Sequence, residues 1–399
     1  MSAYMNISEE FDEIEIIVKD LTTGLPESAS ENRIGFLVCD SHLECKELLN
    51  HLRKKITFPI IGGTTFTYPL QGKNDEVSAS LTVLDIEKMN YSIAVSQPLS
   101  EADSDRQMKE LYDQCTGGLD VSPKMLMMFQ PMIPGLNADR FITGLISLSG
   151  EIPLFGGMTM NDLDSTAAGV FADGNVYGDR IVLVALGGDI RPVFSVGSQM
   201  TAMSEYAPVV TASDGNIVRC VDEMTFCDYM RSIGISPEQR RNGVDALVQY
   251  GPLPCRLRNK LQDDDGIPEL RCISYTNVEE GSVAFSSSLP VGTRVNIGVI
   301  QKNDVVESSR GCLNHLTAQM KTEEESGYRY SAIFSVPCVA RYFAMLGGEN
   351  LESKLLTDEI PRHLAVSAYY GFCEIGPTQG QNGEHHNRSH NASIVMCAL

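Results

Sequence analysis

Four stretches of the chain carry residue types that could hold or transform a charged small molecule. In Cys338-Val-Ala-Arg341 the preceding Pro337 suits the first turn of a helix, which sets the thiol near a helix N-terminus with the guanidinium on the same face. A helix N-terminus and a guanidinium together make an anion site and lower a thiol pKa. The bland alternative is a buried small thiol beside an arginine held in structure. In Tyr370-GFCEIGP, Glu374 follows an apolar strand, where its carboxylate can receive an ammonium group. Arg341 and Glu374 together would suit a zwitterion, since a guanidinium holds a carboxylate by two hydrogen bonds. Otherwise Glu374 is a turn-stabilising acid. Pro59-Ile-Ile-Gly62-Gly63-Thr64 and Pro153-Leu-Phe-Gly156-Gly157-Met-Thr159 place a glycine pair and a hydroxyl at the end of an apolar run, with proline and both glycines offset by 94 positions. Such turns can offer backbone N–H groups to a carboxylate, or serve only as two copies of one tight turn. His385, His386 and His390 suggest a metal, but the polar residues between them make a loop the better reading, and no metal is expected.

Composition narrows the function classes. The chain has 399 residues, 43% hydrophobic and 21% charged, enough for two or three domains with cores of their own. A formal charge of −21 argues against nucleic acid and anionic membrane surfaces as partners. The first residues, MSAYMNISEEFDEIEI, have neither a basic n-region nor a continuous apolar core, and no stretch is apolar enough to span a bilayer. Eleven scattered cysteines without a CxxC pair then suggest reduced thiols and a cytoplasmic protein. Neither glycine pair fits a dinucleotide fingerprint, no P-loop is present, and no cofactor is expected.

The elements that must position these residues come in a repeated order. Arg33-IGFLVC-Asp40 reads as a strand, a helix begins near Ser41 and Glu44 as a capping box, and Pro59-Ile60-Ile61 begins a second strand that stops at the glycines. Lys124-MLMMF, a helix N-capped by Asn137, and Pro153-Leu154-Phe155 repeat this. Paired strands follow in both halves. The expected fold is therefore α/β to α+β: a duplicated strand–helix–strand N-terminal module with mixed sheets, then an α+β C-terminal module. An N-terminal extension covers 1–30, the first module 31–208 (copies at about 31–100 and 122–200), the second 209–399. The second module is read with a hairpin over Val209-VTASDGNIVRCV, a helix around Gly311–Thr322, and a solvated Asp263-Asp264-Asp265.

The ordered set Pro59-IIGGTT, Pro153-LFGGMT, Val210-TASDGN, Ser335-VPCVAR, Gly371-FCEIGP and His390-NASIVM resembles the FIST (F-box and intracellular signal transduction) domain proteins from about Arg33 onward. The resemblance implies a cytoplasmic sensory module that binds a small ligand, an amino acid or a derivative, and signals through a partner in trans. It also implies ligand contact by Asn391 and adds to the case for Glu374. The thirty residues before the module are acidic and too short for the three packed helices of an F-box. The family usually has glycine where this chain has Cys373, so a reshaped turn is expected there. The candidate ligand set is Gly62, Gly63, Thr64, Gly156, Gly157, Thr159, Cys338, Arg341, Glu374 and Asn391, with no catalytic or metal residue assigned. The competing readings are an enzyme with Cys338 as nucleophile and His363 or His315 as base, and a ligand-free scaffold.

Overall fold

The computed structural model describes residues 2–26, 32–66, 70, 77–85, 87–133, 136–161, 168–240, 254–258, 267–345, 351–379 and 385–399. Strand Arg33–Asp40 is buried along its whole length, as its near-continuous apolar sequence requires of a strand covered on both faces. It pairs parallel with Ile60–Thr65 and antiparallel with Ala79–Asp85. In the second copy Pro123–Pro131 pairs parallel with Leu154–Thr159 and antiparallel with Val182–Gly188. The connecting helices, Cys45–Leu52 and Ala138–Ser149, each bury an apolar stripe: Leu48, Leu49 and Leu52 in one, Phe141, Ile142 and Leu145 in the other. Their starts differ from expectation. Neither Glu44 nor Asn137 caps by side chain, and Asp40 instead accepts from the His42 N–H at 2.9 Å.

The glycine pairs are not turns. Both lie inside strands that continue past them to Thr65 and Thr159. Gly62 and Gly156 have φ of 137° and 135°. A Cβ on Gly62 would stand 1.9 Å from Leu37 O, and one on Gly156 2.1 Å from Met128 O. Each glycine therefore lets its strand approach the parallel neighbour, which is a packing requirement.

A third unit of the same topology closes the fold. Ala332–Pro337 pairs parallel with Ala365–Ala368 and antiparallel with the C-terminal strand Ile394–Ala398. Inward faces of all three sheets meet in one core, where Phe36 and Phe334 pack edge to face at 4.6 Å. Helices cover the outer faces, among them Ile14–Thr22 and Ser104–Gly117 on the first two sheets. A helix from Lys302 to Glu325 covers the third, starting earlier than expected because Gln301 and Asp304 form a reciprocal capping box. Among the described residues the fourth sheet has eight strands, seven in one path from Thr201–Ala202 and Arg294–Val299 at one end to Val210–Asp214 at the other and Met224–Thr225 off that path, with its own core around Phe226 and Phe285.

The sheets do not respect the module boundary. The opening strand Ser2–Ser8 adds to the first sheet beside Ala79–Asp85. Phe372–Gln379 joins Leu154–Thr159 in the second, and Val193–Gly197 joins Ile394–Ala398 in the third. His385–His390, expected as a loop, is a strand paired with Phe372–Gln379. Asp263-Asp264-Asp265 lies outside the described residues.

Candidate functional site

The candidate residues gather where Phe372–Gln379 crosses onto the second sheet. Between Phe372 and Ile375 its register against Leu154–Thr159 shifts, and Cys373 takes a φ of 55°. The left-handed turn that a glycine would make is thus kept despite the Cβ, at a cost of about 1–2 kcal/mol. A bulge of this kind re-aims the next side chain. Glu374 consequently points into the protein, fully buried, where its Oε2 accepts from the Ser393 hydroxyl at 2.9 Å and the Ser393 N–H at 3.4 Å. Burial pushes its pKa up to about 8, with hydrogen bonds from Cys338 and Ser393 opposing the shift. Glu374 is therefore largely protonated at neutral pH. Gly157 lies against this bulge: a Cβ there would meet Cys373 O and Glu374 Cα at 3.3 Å.

Cys338 is the N-cap of the short helix Val339–Ala344, and it is 1% exposed. Burial raises its thiol pKa well above the ordinary value, and the neighbouring Glu374 carboxyl raises it further. His315 and His363 are on the surface, His315 beside the Ser195 hydroxyl. The structure brings neither to a deprotonated thiol. Asn391 is buried, bonded to Ser286 and donating to Cys373 Sγ at 3.5 Å.

Arg341 does not meet Glu374. It is wholly buried, and its Nε donates to Glu352 Oε1 at 2.8 Å. Its Nη atoms donate to Ser309 and Ser308 hydroxyls at 2.7 and 3.0 Å and to the carbonyls of Val305 and Ala392. The pair expected to hold a zwitterion is thus split, with Arg341 tying the short helix to the long Lys302–Glu325 helix. Thr64 and Thr159 are likewise engaged, both touching Gly169: Gly169 N donates to Thr64 Oγ1 at 2.9 Å, and the Thr159 hydroxyl donates to Gly169 O at 3.2 Å. Gly63 faces the same place, 2.5 Å from Thr159 Cγ2 for an added Cβ.

A cleft opens on the other side of Cys373, between helix Ala138–Ser149 and strands Glu269–Asn277 and His385–His390. Its volume is about 280 Å³. Glu269 and Arg271 line it, 8% and 7% exposed, two opposite charges on one face of a strand and bonded to each other. Arg271 Nη1 also donates to Leu270 O at 2.9 Å and Ser389 O at 3.2 Å. Arg271 Nε, Glu269 Oε2 and the Ser389 hydroxyl are buried without a partner. Asp139, in the first turn of the helix, accepts from the Ser288 N–H and hydroxyl across the module boundary, at 3.2 and 2.6 Å. Asn387 ties the far end of that helix by donating to Ser149 Oγ and to the carbonyls of Gly150 and Ile152. Burial pushes the Cys373 thiol up to about 12, and Glu374 on one side and Asp139 and Arg271 on the other are near enough to act on it. Sequence reading passed over Glu269, Arg271 and Asp139. The Glu-x-Arg alternation within a strand was the available signal.

Family models match residues 33–224 as a FIST N domain and residues 237–377 as a FIST C domain. The chain belongs to the FIST family. FIST domains are signal-transduction sensory domains, and this chain carries both of the family's modules. No curated protein matches the chain. Among solved structures it is similar to the cyanuric acid hydrolase from A. caulinodans, at 6% identity over 100% of this chain and 99% of that one, with a TM-score of 0.38. A likeness that low decides nothing about the chemistry of this FIST chain. Among the described residues no helix is long and apolar enough to cross a membrane, and no group of three metal-ligating side chains is set to hold an ion.

Proposed function

We propose that this FIST chain binds a small carboxylate-bearing metabolite, an amino acid or a derivative, in the cleft between helix Ala138–Ser149 and strand Glu269–Asn277, and passes the signal to a partner protein in trans. The observation that carries this reading is the set of unpartnered buried atoms in the cleft wall, Arg271 Nε, Glu269 Oε2 and Ser389 Oγ. A buried polar atom left without a partner costs about 1–3 kcal/mol. A ligand offering a carboxylate to Arg271 and a donor to Glu269 recovers that cost. Both charges stand in a strand of the C-terminal module, while Asp139 comes from the N-terminal one, so an occupant touches both modules. Of the residues singled out in the sequence, Gly157, Cys338, Glu374 and Asn391 stand behind the cleft at the Cys373 bulge. Gly62, Gly63, Thr64, Gly156, Thr159 and Arg341 serve the packing that holds it.

The test is a thermal-shift and calorimetric screen of the whole chain against free amino acids and small carboxylates. A ligand at about 100 times its Kd stabilises the fold by about 2.7 kcal/mol. Arg271→Gln is expected to weaken the best ligand at least tenfold. Folded protein with no hit across the panel would sink the reading.

A further inference from the structure

The cleft at Arg271 does not end at helix Ala138–Ser149. A second, larger groove of about 660 Å³ runs along the same helix and the neighbouring Ser104–Gly117 helix, and it shares Asp139, Thr143 and Ser288 with the inner cleft. The Asp139–Ser288 hydrogen bonds form a common wall between the two spaces. At about 280 Å³ the inner space falls just under the usual size of a small-molecule pocket, roughly 300–1,000 Å³. It fits the end of a ligand better than the whole of an extended one.

The two spaces differ in chemistry. The inner one holds the buried Arg271–Glu269 pair against apolar Ile146, Leu257 and Pro290. The outer one is lined by the hydroxyls of Ser104, Thr143 and Ser147 and by Asp105, Lys109 and Arg140, with Leu148 and the aliphatic stems of the long side chains between them. Lys109 is held by Asp113 at 2.7 Å, while Asp105 is an exposed acid at the start of its helix. A ligand section that suits the hydroxyls and the acid of this lining carries amide donors and acceptors and a cationic end.

Resting on the reading above, we infer that the ligand is peptide-like. Its free carboxylate occupies the inner cleft at Arg271. A peptide bond crosses the Asp139–Ser288 wall, and the amino end lies in the outer groove towards Asp105. A free amino acid fills only the inner part and forgoes the outer contacts. The geometry thus favours dipeptides over their own C-terminal residues.

The test is calorimetry on the whole chain with the common free amino acids and the glycyl dipeptide of each. The best dipeptide is expected to bind at least tenfold more tightly than its free C-terminal residue. Ser147→Trp, an exposed position lining only the outer groove, should remove that advantage and leave the free amino acid unchanged. Arg271→Gln should weaken both. If that variant does not fold, Arg271→Lys, which keeps the charge but loses the planar fork, takes its place. Free amino acids binding as tightly as their dipeptides, or a dipeptide indifferent to Ser147→Trp, would overturn the peptide inference and leave the cleft reading standing. Failure of every amino acid and dipeptide to bind overturns both.

Discussion

Gly62 and Gly156 take nearly the same backbone, with φ of 137° and 135°, at the same step of two parallel strand pairs. Their following glycines part company. Gly63 is pressed against Thr159 and Gly169 inside the N-terminal module, whereas Gly157 lies on the Cys373–Glu374 bulge that the C-terminal module contributes. A duplicated motif has thus kept one packing role in both copies, and only one copy has acquired a neighbour of different chemistry. The likeness between the copies explains the fold, and the difference marks the site.

The largest expected effect tests the shared role. Gly62→Ala and Gly156→Ala each place a methyl about 2 Å from a backbone carbonyl oxygen, at a φ that side chains rarely adopt. Backbone strain and overpacking, each about 1–3 kcal/mol, give a loss of roughly 2–6 kcal/mol for either variant. That is a large part of the 5–15 kcal/mol by which a domain is usually stable. Urea unfolding of the two variants measures it, and the two losses should agree within about 1 kcal/mol. A variant that folds with wild-type stability would show that the strands can part, and the packing argument would fail for that copy.

The next effect belongs to the difference. Glu374 has a folded pKa of about 8 against 4.5 for the ordinary group. Between those values the unfolded chain releases this proton and the folded chain keeps it. Stability contributed by Glu374 is therefore complete below about pH 4.5 and is lost as pH rises towards 8. Each unit of difference corresponds to about 1.4 kcal/mol. Glu374→Gln cannot titrate, so its stability relative to wild type should climb by up to that slope per unit between pH 5 and 8. Denaturant unfolding at several pH values reads the difference directly. A flat difference would mean that the carboxyl is ionised in the folded protein at neutral pH.

How much of this was legible in the sequence follows the range of the interactions. The two copies could be read because Pro-x-x-Gly-Gly recurs and each strand–helix–strand unit is local. The third unit escaped because its parallel strand, Ala365–Ala368, carries no glycine pair and its antiparallel partner is the distant strand Ile394–Ala398. The long helix was read too short, since its capping box rests on Gln301 and Asp304, outside the apolar stripe. Arg341 was matched with Glu374 because both lay in recognisable motifs. The chain instead gave it Glu352, eleven residues on in a helix with no motif at all. The cleft needed Asp139, Glu269, Arg271 and Ser389 from three separate stretches, which no single-stretch pattern can assemble.

The smallest effect separates the second glycines. An added Cβ on Gly63 meets Thr159 Cγ2 at 2.5 Å and Gly169 O at 2.7 Å, while one on Gly157 meets nothing closer than 3.3 Å. Gly63→Ala should therefore cost about 2–3 kcal/mol and Gly157→Ala about 1 kcal/mol or less. Trimming the closest contact with Thr159→Ser should recover about 1 kcal/mol in the Gly63→Ala background, leaving the cost of the Gly169 carbonyl. The ranking reverses for the ligand. Gly157→Ala pushes on the Cys373 bulge that backs the cleft and should weaken binding several-fold, whereas Gly63→Ala leaves the affinity of the folded protein unchanged. Equal effects of both variants on binding would mean that the bulge and the cleft are not coupled, and Gly157 would then be no more than the second copy of Gly63.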